Sequence, residues 1–322
     1  MKKLFIKICK LLGFELIDQN KFISPTLSKE LNEDLSILNK KSIILPLGEV
    51  KITREVKSIL IIFRMNTNVE IWDQNKKRLF EQPKIEYSLR SLKSLIKSTN
   101  FCKVKYPYLK IKTLIIDDHS KVENLDLIKK LIIKEDFEII SLNHKKFEKK
   151  IKQQKSKETF SNLASLLQSF EIGKERGDDL IFFVEDDYLH FEQMLEEMIA
   201  SYERISSQLR KDIFICPSDY PYLYMGNEKT NVLIGNKRHW RTVDKTLCTF
   251  MTSKNLLLKY WDNFLKTCQD RHDPFEKYLN EIYKKEICIS PIKSLSLHLT
   301  NVNSSYGLSP FIDFKKLWDQ NN

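Results

Sequence analysis

With 322 residues, of which 42% are hydrophobic and 30% charged, the chain has the composition of a folded globular protein, and no apolar stretch in it is long enough to span a bilayer. Its six cysteines include no close pair, which excludes zinc ribbons and CxxC redox sites and favours a reducing compartment, the cytoplasm. The net charge of +11 is compatible with acidic or phosphorylated partners. The seven glycines form neither a GxGxxG nor a GxxxxGK[ST] motif, so any bound nucleotide must have its phosphates held by a metal and side chains.

The first 20 residues predict a short basic amphipathic helix. No small-residue cleavage site follows it, so it is not a signal peptide. It has two interpretations, docking on the anionic inner face of a membrane or packing on its own domain. Residues 21–55 are polar and predict a lead-in, which divides the chain into an N-terminal appendage, 1–55, and one large domain, 56–322. The helix alternates two sets of residues, Lys2, Lys3, Lys7 and Lys10 with Leu4, Phe5, Ile8, Leu11 and Leu12.

From residue 57 onward, apolar runs typical of buried strands alternate with segments of helical periodicity. This alternation predicts an α/β domain with a mostly parallel sheet flanked by helices. A further helix after residue 190 has an apolar stripe that begins at Phe191. The predicted strands are 58–63, 111–116, 137–142 and 180–184, and the predicted helices are 86–99, 123–133 and 158–175.

Two acidic clusters follow predicted strands directly. They are an acidic pair, Asp117-Asp118, and an acidic triplet, Glu185-Asp186-Asp187. Ligands bind beyond the carboxyl ends of parallel strands, so we expect one site there. Adjacent carboxylates are costly without a cation, and their oxygens suit Mg²⁺ or Mn²⁺. The alternative is a solvated loop whose acids cap the next helix.

The same two strand ends resemble motifs of family-2-like glycosyltransferases with the GT-A fold. The run Leu114-Ile115-Ile116-Asp117-Asp118-His119-Ser120 is similar to their DDxS strand end, and Asp178 to Asp187, with the sequence DDLIFFVEDD, is similar to the strand that leads to their DxD motif. The order of the motifs also matches, over roughly residues 57–190. The resemblance implies a GT-A-like fold, a nucleotide diphospho-sugar donor and a divalent cation, Mn²⁺ or Mg²⁺.

Roles for individual residues follow from this resemblance alone. Asp117 or Asp118 would bond the nucleobase, and Asp186 would meet the ribose or the metal. Asp187 would hold the metal that bridges both phosphates, and Glu185 stands where Asp is more frequent among the metal ligands. The sequence departs from the family at Phe63-Arg64-Met65-Asn66, where a Pro-x-Tyr-Asn-like turn is usual, which leaves Arg64 as a candidate donor contact.

The C-terminal half holds further candidates. Asp219 lies in a polar and aromatic loop, Cys216 to Tyr222, which is typical either of sugar binding or of simple packing. The run Arg238-His239-Trp240-Arg241 predicts a clamp on a diphosphate or base through Arg238 and Arg241, or a surface turn. His298 lies in an alternating, strand-like run, where a lone histidine is usually structural. Many enzymes of the resembled fold use a C-terminal histidine as an additional metal ligand, so both interpretations stay open.

The segment Asp273-Pro274-Phe275-Glu276 resembles, by position, the acidic stretch that supplies the catalytic base in inverting members of the family. Pro274 suits the first position of a helix, in which case Asp273 caps the helix and Glu276 is free to act. Asp273 is slightly preferred as the base because it is nearest the loop, and Asp219 is the next candidate.

The sequence therefore favours an enzyme that transfers a sugar from a nucleotide diphosphate donor to a hydroxyl of a glycan or lipid-linked acceptor. Inversion of configuration and a role in surface polysaccharide or lipopolysaccharide synthesis are expected, in the cytoplasm or peripherally on the inner face of the membrane. One alternative, a sugar nucleotidyltransferase, lacks its usual phosphate loop. The other, a nucleic-acid-binding module, fits the basic charge, but the strongest local features are acidic, so no nucleic acid partner is expected.

Overall fold

The computed structural model divides the chain into two compact units, Met1–Asp34 and Leu35–Asn322. The first contains helix α1, Lys2–Leu11, which confirms the first half of the predicted N-terminal helix; its residues 17–20 lie outside the described residues. The boundary predicted after residue 55 stays a prediction. The structure describes residues 2–14, 16, 41–44, 48–68, 79–225, 230–299, 307–309 and 311–322.

The second unit begins, among described residues, with an antiparallel hairpin of β1, Lys41–Ile44, and β2, Gly48–Lys51. Eleven more strands follow in the described part of the chain. They are β3 Ser58–Met65, β4 Lys110–Asp117, β5 Phe137–Ser141, β6 Leu180–Glu185, β7 Tyr188–His190, β8 Phe214–Ile215, β9 Val232–Ile234, β10 His239–Val243, β11 Phe250–Ser253, β12 Cys288–Pro291 and β13 Ser296–His298.

Nine of these strands form one sheet in the order β5-β4-β3-β6-β11-β8-β12-β10-β9. The four strands β5, β4, β3 and β6 are parallel to one another, as are β8 and β12. Both β11 and β10 pair antiparallel with each of their neighbours, so these two strands run against the other seven. The predicted α/β fold with a mostly parallel sheet is confirmed.

Helices cover both faces of the sheet. Successive strand residues point to opposite faces, so Ile61 packs with Leu95 and Met198 in one core, while Ile62 packs with Phe170 in the other. This double burial explains the uninterrupted apolar run of β3. The helices are α2 Lys84–Lys105, α3 Val122–Ile132, α4 His144–Phe147, α5 Lys157–Arg176, α6 Met194–Leu209, α7 Lys254–Lys259, α8 Trp261–Gln269, α9 Lys277–Tyr283 and α10 Phe314–Asp319.

Strands β7 and β13 form a separate two-stranded antiparallel sheet, with His298 opposite Tyr188. The backbone N–H of Leu299 extends this pairing by donating to the carbonyl of Asp187 at 2.8 Å. The pairing carries the chain from the acidic triplet directly to His298. It also corrects the helix predicted from Phe191, because residues 188–190 are a strand and α6 begins only at Met194.

The Arg238 to Arg241 run is neither a turn nor wholly at the surface. Residues His239–Val243 form strand β10, and Trp240 is fully buried in the core. Trp240 packs so closely on Gly235 that a Cβ there would lie 2.3 Å from the indole nitrogen, so this approach requires glycine. Within the described residues, no helix combines the length and the apolarity needed to cross a bilayer.

Candidate functional site

The acidic pair and the acidic triplet end the two strands that flank β3. Register places Met65 opposite Asp117 on one side and Arg64 opposite Glu185 on the other. Asn66, the next residue, joins them: its side-chain amide donates to Asp118 at 2.7 Å, and its backbone N–H donates to Asp186 at 3.3 Å. The two clusters therefore lie next to each other, as expected, and their service as one ligand site stays a prediction.

Glu185 is held by a buried arginine and a threonine. One terminal nitrogen of Arg64 donates to it at 2.8 Å, and the other donates to side chains of α5, Asn162 and Ser165. The Thr249 hydroxyl donates to the second carboxylate oxygen at 3.3 Å. Burial, and then the charge of Asp187, raise the pKa of Glu185 although Arg64 opposes them. Arg64 thus orients the carboxylate, and its predicted contact with a donor stays a prediction.

Asp186 is bonded to the protein by both carboxylate oxygens. Lys84 donates to one at 2.6 Å, and the Ser88 hydroxyl donates to the other at 2.6 Å. Both residues lie at the start of α2, where the helix dipole also favours a negative charge. Asp186 therefore anchors α2 to the end of β6, and its predicted contact with the donor stays a prediction.

Asp187 is satisfied on one side only. Its Oδ2 atom lies 3.2 Å from Nε2 of His298, whose ring stacks on Tyr188 at 4.6 Å. Its Oδ1 atom is buried and has no hydrogen-bond partner among the described residues. Burial alone would raise the pKa of Asp187, but the charge and hydrogen bond of His298 hold it below its usual range. An ionised, buried oxygen without a donor is what a cation ligand requires.

Glu276 belongs electrostatically to the same cluster, because the charges of Glu185 and His298 both act on it. Burial, with a smaller contribution from Glu185, raises the pKa of Glu276 to about 7. Asp273, in contrast, is exposed to solvent. The predicted helix start is wrong: Glu276 occupies the N-cap position of α9 and Lys277 is its first residue, so Asp273 does not cap it and the two acids do not share a helical turn.

At the end of β4, both carboxylate oxygens of Asp118 have hydrogen-bond partners. Its Oδ2 atom accepts from Asn66 and from Ser161, and its Oδ1 atom lies 2.9 Å from Nε2 of His144 and 3.2 Å from Nδ1 of His119. One ligand atom from each of Asp118, His119 and His144 lies within 4.8 Å of the others, so this trio is a second candidate cation site. The neighbouring carboxylate of Asp117 accepts weakly from the Ser120 N–H, at 3.3 Å.

The remaining candidates form a cluster around the 217–224 loop. Asp219 is buried and bonds to Arg241 and, at 2.5 Å, to Tyr224, whose ring lies under the Arg241 guanidinium at 4.4 Å. Arg238 donates to the backbone carbonyls of Lys293 and Ser294, at 2.7 and 3.2 Å. These arginines brace loops of the protein, and their roles at a donor, like that of Asp219 as a base, stay predictions.

Sequence reasoning missed the partners that set the charges of the site. These are Lys84, Ser88, Thr249, His144 and Ser161, each an ordinary polar residue in its own segment. Lys84 and Ser88 were the one signal in the sequence that could have identified such partners, because polar side chains at the start of a helix can face the end of a neighbouring strand.

No protein-family model matches the sequence, and none of the curated proteins is similar to it. Solved structures similar to it include galactosyltransferase LgtC in complex with donor and acceptor sugar analogues, with 11% identity, coverage of 71% of this chain and 72% of that one, and a TM-score of 0.40. TarS residues 1–349 of S. aureus has 12% identity, 74% and 59% coverage, and a TM-score of 0.43, so the chain spans less than two thirds of it.

UDP-glucose pyrophosphorylase complexed with UDP-glucose is also similar, with 8% identity, 74% and 90% coverage, and a TM-score of 0.37. The predicted likeness to glycosyltransferases is therefore found among solved structures. The likeness to the pyrophosphorylase corresponds to the alternative prediction, a sugar nucleotidyltransferase. Similarities at these TM-scores and identities do not establish a function, which has to be inferred from the residues of the site.

Proposed function

We propose that the chain is a metal-dependent glycosyltransferase that moves a sugar from a nucleotide diphosphate donor to a hydroxyl acceptor. One observation carries the proposal: at the end of β6, Asp187 has a buried carboxylate oxygen with no hydrogen-bond partner among the described residues. The carboxyl group of Glu276, on which the charges of Glu185 and His298 act, has its pKa raised by burial to about 7, which suits a general base. An acid with a pKa near the working pH takes up a proton without being permanently protonated.

The residues of the acidic triplet fit a hard divalent cation. Asp187 and Glu185 offer carboxylate oxygens, which Mg²⁺ and Mn²⁺ prefer, and the Nε2 atom of His298, which lies beside Asp187, would offer a further ligand once the ring has lost its proton. When bound, Mn²⁺ or Mg²⁺ neutralises the negative charge on the leaving diphosphate. The lack of a glycine-rich phosphate loop in the sequence makes such a cation the natural partner of the phosphates.

On the donor side, the proposal assigns the base and ribose to the end of β4 and its surroundings, with Asp117, Asp118 and Asp186 as contacts. Asn66 supports this assignment, because it bonds to both acidic clusters and so fixes the distance between them. Arg64, Arg238 and Arg241 complete the proposed donor contacts, and each would have to turn part of its guanidinium from its present protein partners towards phosphate oxygens.

In the transfer step, the Glu276 carboxylate accepts the proton of the acceptor hydroxyl while that oxygen forms a bond to the anomeric carbon. The bond from this carbon to the diphosphate oxygen breaks, and the electron pair leaves with the diphosphate. Attack from the face opposite the leaving group inverts the anomeric configuration. Asp273 and Asp219 are the other proposed bases, but Asp273 is exposed and Asp219 is bound by Arg241 and Tyr224.

The test is a panel of nucleotide diphospho-sugars, each measured for thermal stabilisation with and without Mn²⁺ and for hydrolysis in the absence of acceptor. We expect at least one donor to stabilise the protein only when Mn²⁺ is present, by mass action on the folded state. Release of sugar and nucleoside diphosphate supports transfer. Formation of a nucleoside triphosphate from donor and pyrophosphate would instead identify a sugar nucleotidyltransferase, and no response to any donor would contradict both.

We further propose that the enzyme acts in the cytoplasm at an anionic membrane surface, on a glycan or lipid-linked acceptor of surface polysaccharide or lipopolysaccharide synthesis. Support comes from α1, in which apolar side chains are left exposed beside lysines: Leu4 keeps 65% of its surface, Phe5 60% and Leu11 87%. An exposed apolar stripe can enter the apolar layer of a membrane, and the lysines beside it are attracted to the anionic lipid headgroups.

Vesicle binding tests the membrane proposal. The full chain should bind vesicles of anionic phospholipid more tightly at low salt than at high salt, because salt screens the lysines. A Leu4→Ser/Leu11→Ser variant should lose binding at every salt concentration, and a Lys3→Gln/Lys7→Gln variant should lose only the salt-dependent part. Equal binding by a chain that lacks residues 1–20 would contradict the proposal.

A further inference from the structure

The lysine-rich tract between residues 145 and 157 lies outside the proposed active site, yet the structure builds part of it into a concave surface. A cavity of about 640 Å³ lies between the segment around α4, helix α5 and helix α8. Three residues of the tract line it, and two other parts of the chain complete it. The residues that matter here are Lys146, Lys149, Lys150, Lys174, Trp261 and Leu265, which we call the lysine groove.

The lysine groove has a surplus of positive charge. Four lysines and two glutamates line it, which gives a net charge of +2 (4 − 2). Lys146 and Lys150 both pair with Glu171, each at 2.6 Å. Lys149 has no ion pair within the described part of the chain, and it is exposed. Within the described residues, the ammonium groups of Lys149 and Lys174 are therefore the two in the groove that have no ion pair with a carboxylate.

An aromatic ring lies directly beside this charge. The ammonium of Lys174 is held 4.3 Å from the centre of the Trp261 ring, and Leu265 adds further apolar surface. A flat apolar surface next to fixed cations fits a ligand whose rings have apolar C–H faces and anionic substituents. Sugar rings that carry carboxylate, phosphate or sulfate groups have this character.

We propose that the lysine groove binds an acidic glycan, as the remote part of the acceptor. Helix α5 connects the groove to the proposed active site, since Ser161 bonds to Asp118 while Glu171 and Lys174 line the groove. The 10 to 13 residues between them span roughly 15 to 20 Å at the rise of an α-helix. A sugar in the groove therefore lies roughly 15 to 20 Å along α5 from Asp118, the residue assigned to the donor nucleobase. An acceptor that reaches both the groove and the bound donor has to be several sugar units long. This role rests on the proposed function, whereas binding itself does not.

A single-stranded nucleic acid would use the same chemistry, phosphates on lysines and bases on an aromatic ring. Sites of that kind present successive aromatic platforms along a basic track. Among the described residues that line the lysine groove, Trp261 is the one aromatic residue, and Glu171 and Glu175 are acidic. The acidic glycan is the better fit, and a nucleic acid is an outcome of the test.

The experiment titrates the full chain, without donor or divalent cation, with a long oligogalacturonate and with its methyl ester, which removes the charge and keeps the rings. We expect binding of the acid alone, weakened by salt. Lys149→Gln/Lys174→Gln should reduce the affinity by about 2- to 30-fold, the range for loss of two exposed ion pairs. Trp261→Leu should also reduce it, because the aromatic face is lost.

The matched control is Lys130→Gln/Lys134→Gln, which removes two exposed lysines elsewhere and should leave the affinity unchanged. Equal binding of acid and ester, or equal losses in control and groove variants, would overturn the proposal. So would tighter binding of a single-stranded oligodeoxythymidylate that depends on Lys149 and Lys174. Because these measurements need neither donor nor Mn²⁺, failure of the proposed transferase activity leaves them readable.

Discussion

The ends of β4 and β6 both carry adjacent carboxylates, but the protein treats them differently. Asp118 at the end of β4 is surrounded by donors, two on each carboxylate oxygen. Asp187 at the end of β6 has one oxygen near His298 and one buried oxygen with no partner among the described residues. The first carboxylate has hydrogen-bond partners on both oxygens, whereas the second has one oxygen without a partner among the described residues.

A carboxylate's neighbours, more than its position at a strand end, decide its task. A buried carboxylate without enough donors costs free energy, and such a cost persists where a ligand removes it. Around Asp187 the cost is compounded, because Glu185 and Glu276 both have raised pKa values. The carboxyl groups around the end of β6 are therefore less well stabilised by the protein than Asp118 at the end of β4.

The largest effect is expected for Asp187→Asn. It removes the ionised oxygen that we assign to the cation, so Mn²⁺ affinity should fall by more than the roughly 10- to 100-fold that is typical when only an outer partner of a metal ligand is lost. Calorimetric titration of Mn²⁺, with nucleotide present, measures this. The exposed Asp273→Asn serves as the control for loss of one acidic charge, and unchanged Mn²⁺ affinity in the Asp187 variant would remove the basis of the comparison.

Glu276→Gln should be next in size. Loss of the base should lower turnover by about 10² to 10⁴-fold with donor affinity kept. Because the base acts when ionised, turnover of the unaltered chain should rise with pH through about 7, the pKa of Glu276, and this rise should be absent in the variant. Asp273→Asn, at an exposed position, should leave both the rate and the pH profile unchanged. A slow Asp273 variant with a normal Glu276 variant would reverse the assignment.

The same substitution should stabilise the protein at neutral and higher pH. The pKa of Glu276 is raised in the folded state from 4.5 to about 7, so the fold favours the protonated carboxyl. The corresponding stability is complete below pH 4.5 and is lost as pH rises through 7, by at most roughly 3 kcal/mol. Glu276→Gln should therefore gain melting temperature relative to the unaltered chain as the pH is raised. A loss of stability at pH 8 would contradict the pKa assignment.

The smallest effect on cation binding is expected for Asp118→Asn. The variant leaves several buried donors without an ionised acceptor, so unfolding free energy should fall by about 1 to 3 kcal/mol, as measured by urea denaturation. Mn²⁺ affinity should not change, because both oxygens of this carboxylate already have hydrogen-bond partners within the protein. If Mn²⁺ affinity collapses instead, the Asp118, His119 and His144 trio holds the cation, and the two strand ends exchange their assigned roles.

The parallel half of the fold could be predicted because its strands are buried on both faces. Residues 58–63 form an uninterrupted apolar run for that reason, and β3 is found there as Ser58–Met65. The short strands could not be predicted in the same way. β7 has three residues and pairs with β13, more than a hundred positions later, so no local pattern announces it. Because β7 was not predicted, the predicted helix began at Phe191, whereas α6 begins at Met194.

For the site, the sequence identified the acids but not their donors. The acidic triplet is contiguous, so its charge is visible without a structure, as is its position after an apolar strand. Its partners are distant: Lys84 lies 102 positions from Asp186 and Thr249 lies 64 from Glu185. Whether an acid is satisfied or left open depends on those partners. Burial is equally invisible in the sequence, so Asp273 was ranked above Glu276 by its nearness to the loop, although Asp273 is exposed and burial raises the pKa of Glu276.

The pairing of β7 with β13 has a consequence for how the protein is made. His298 meets Asp187 across 111 positions of sequence, near the end of the chain, and the pairing of β13 is what brings it there. A chain emerging from the ribosome completes the four parallel strands before β13 exists. During that interval the acidic triplet lacks its histidine, so the nascent protein has a sheet without a finished site. Assembly of the proposed cation site therefore has to wait until β13 has been synthesised.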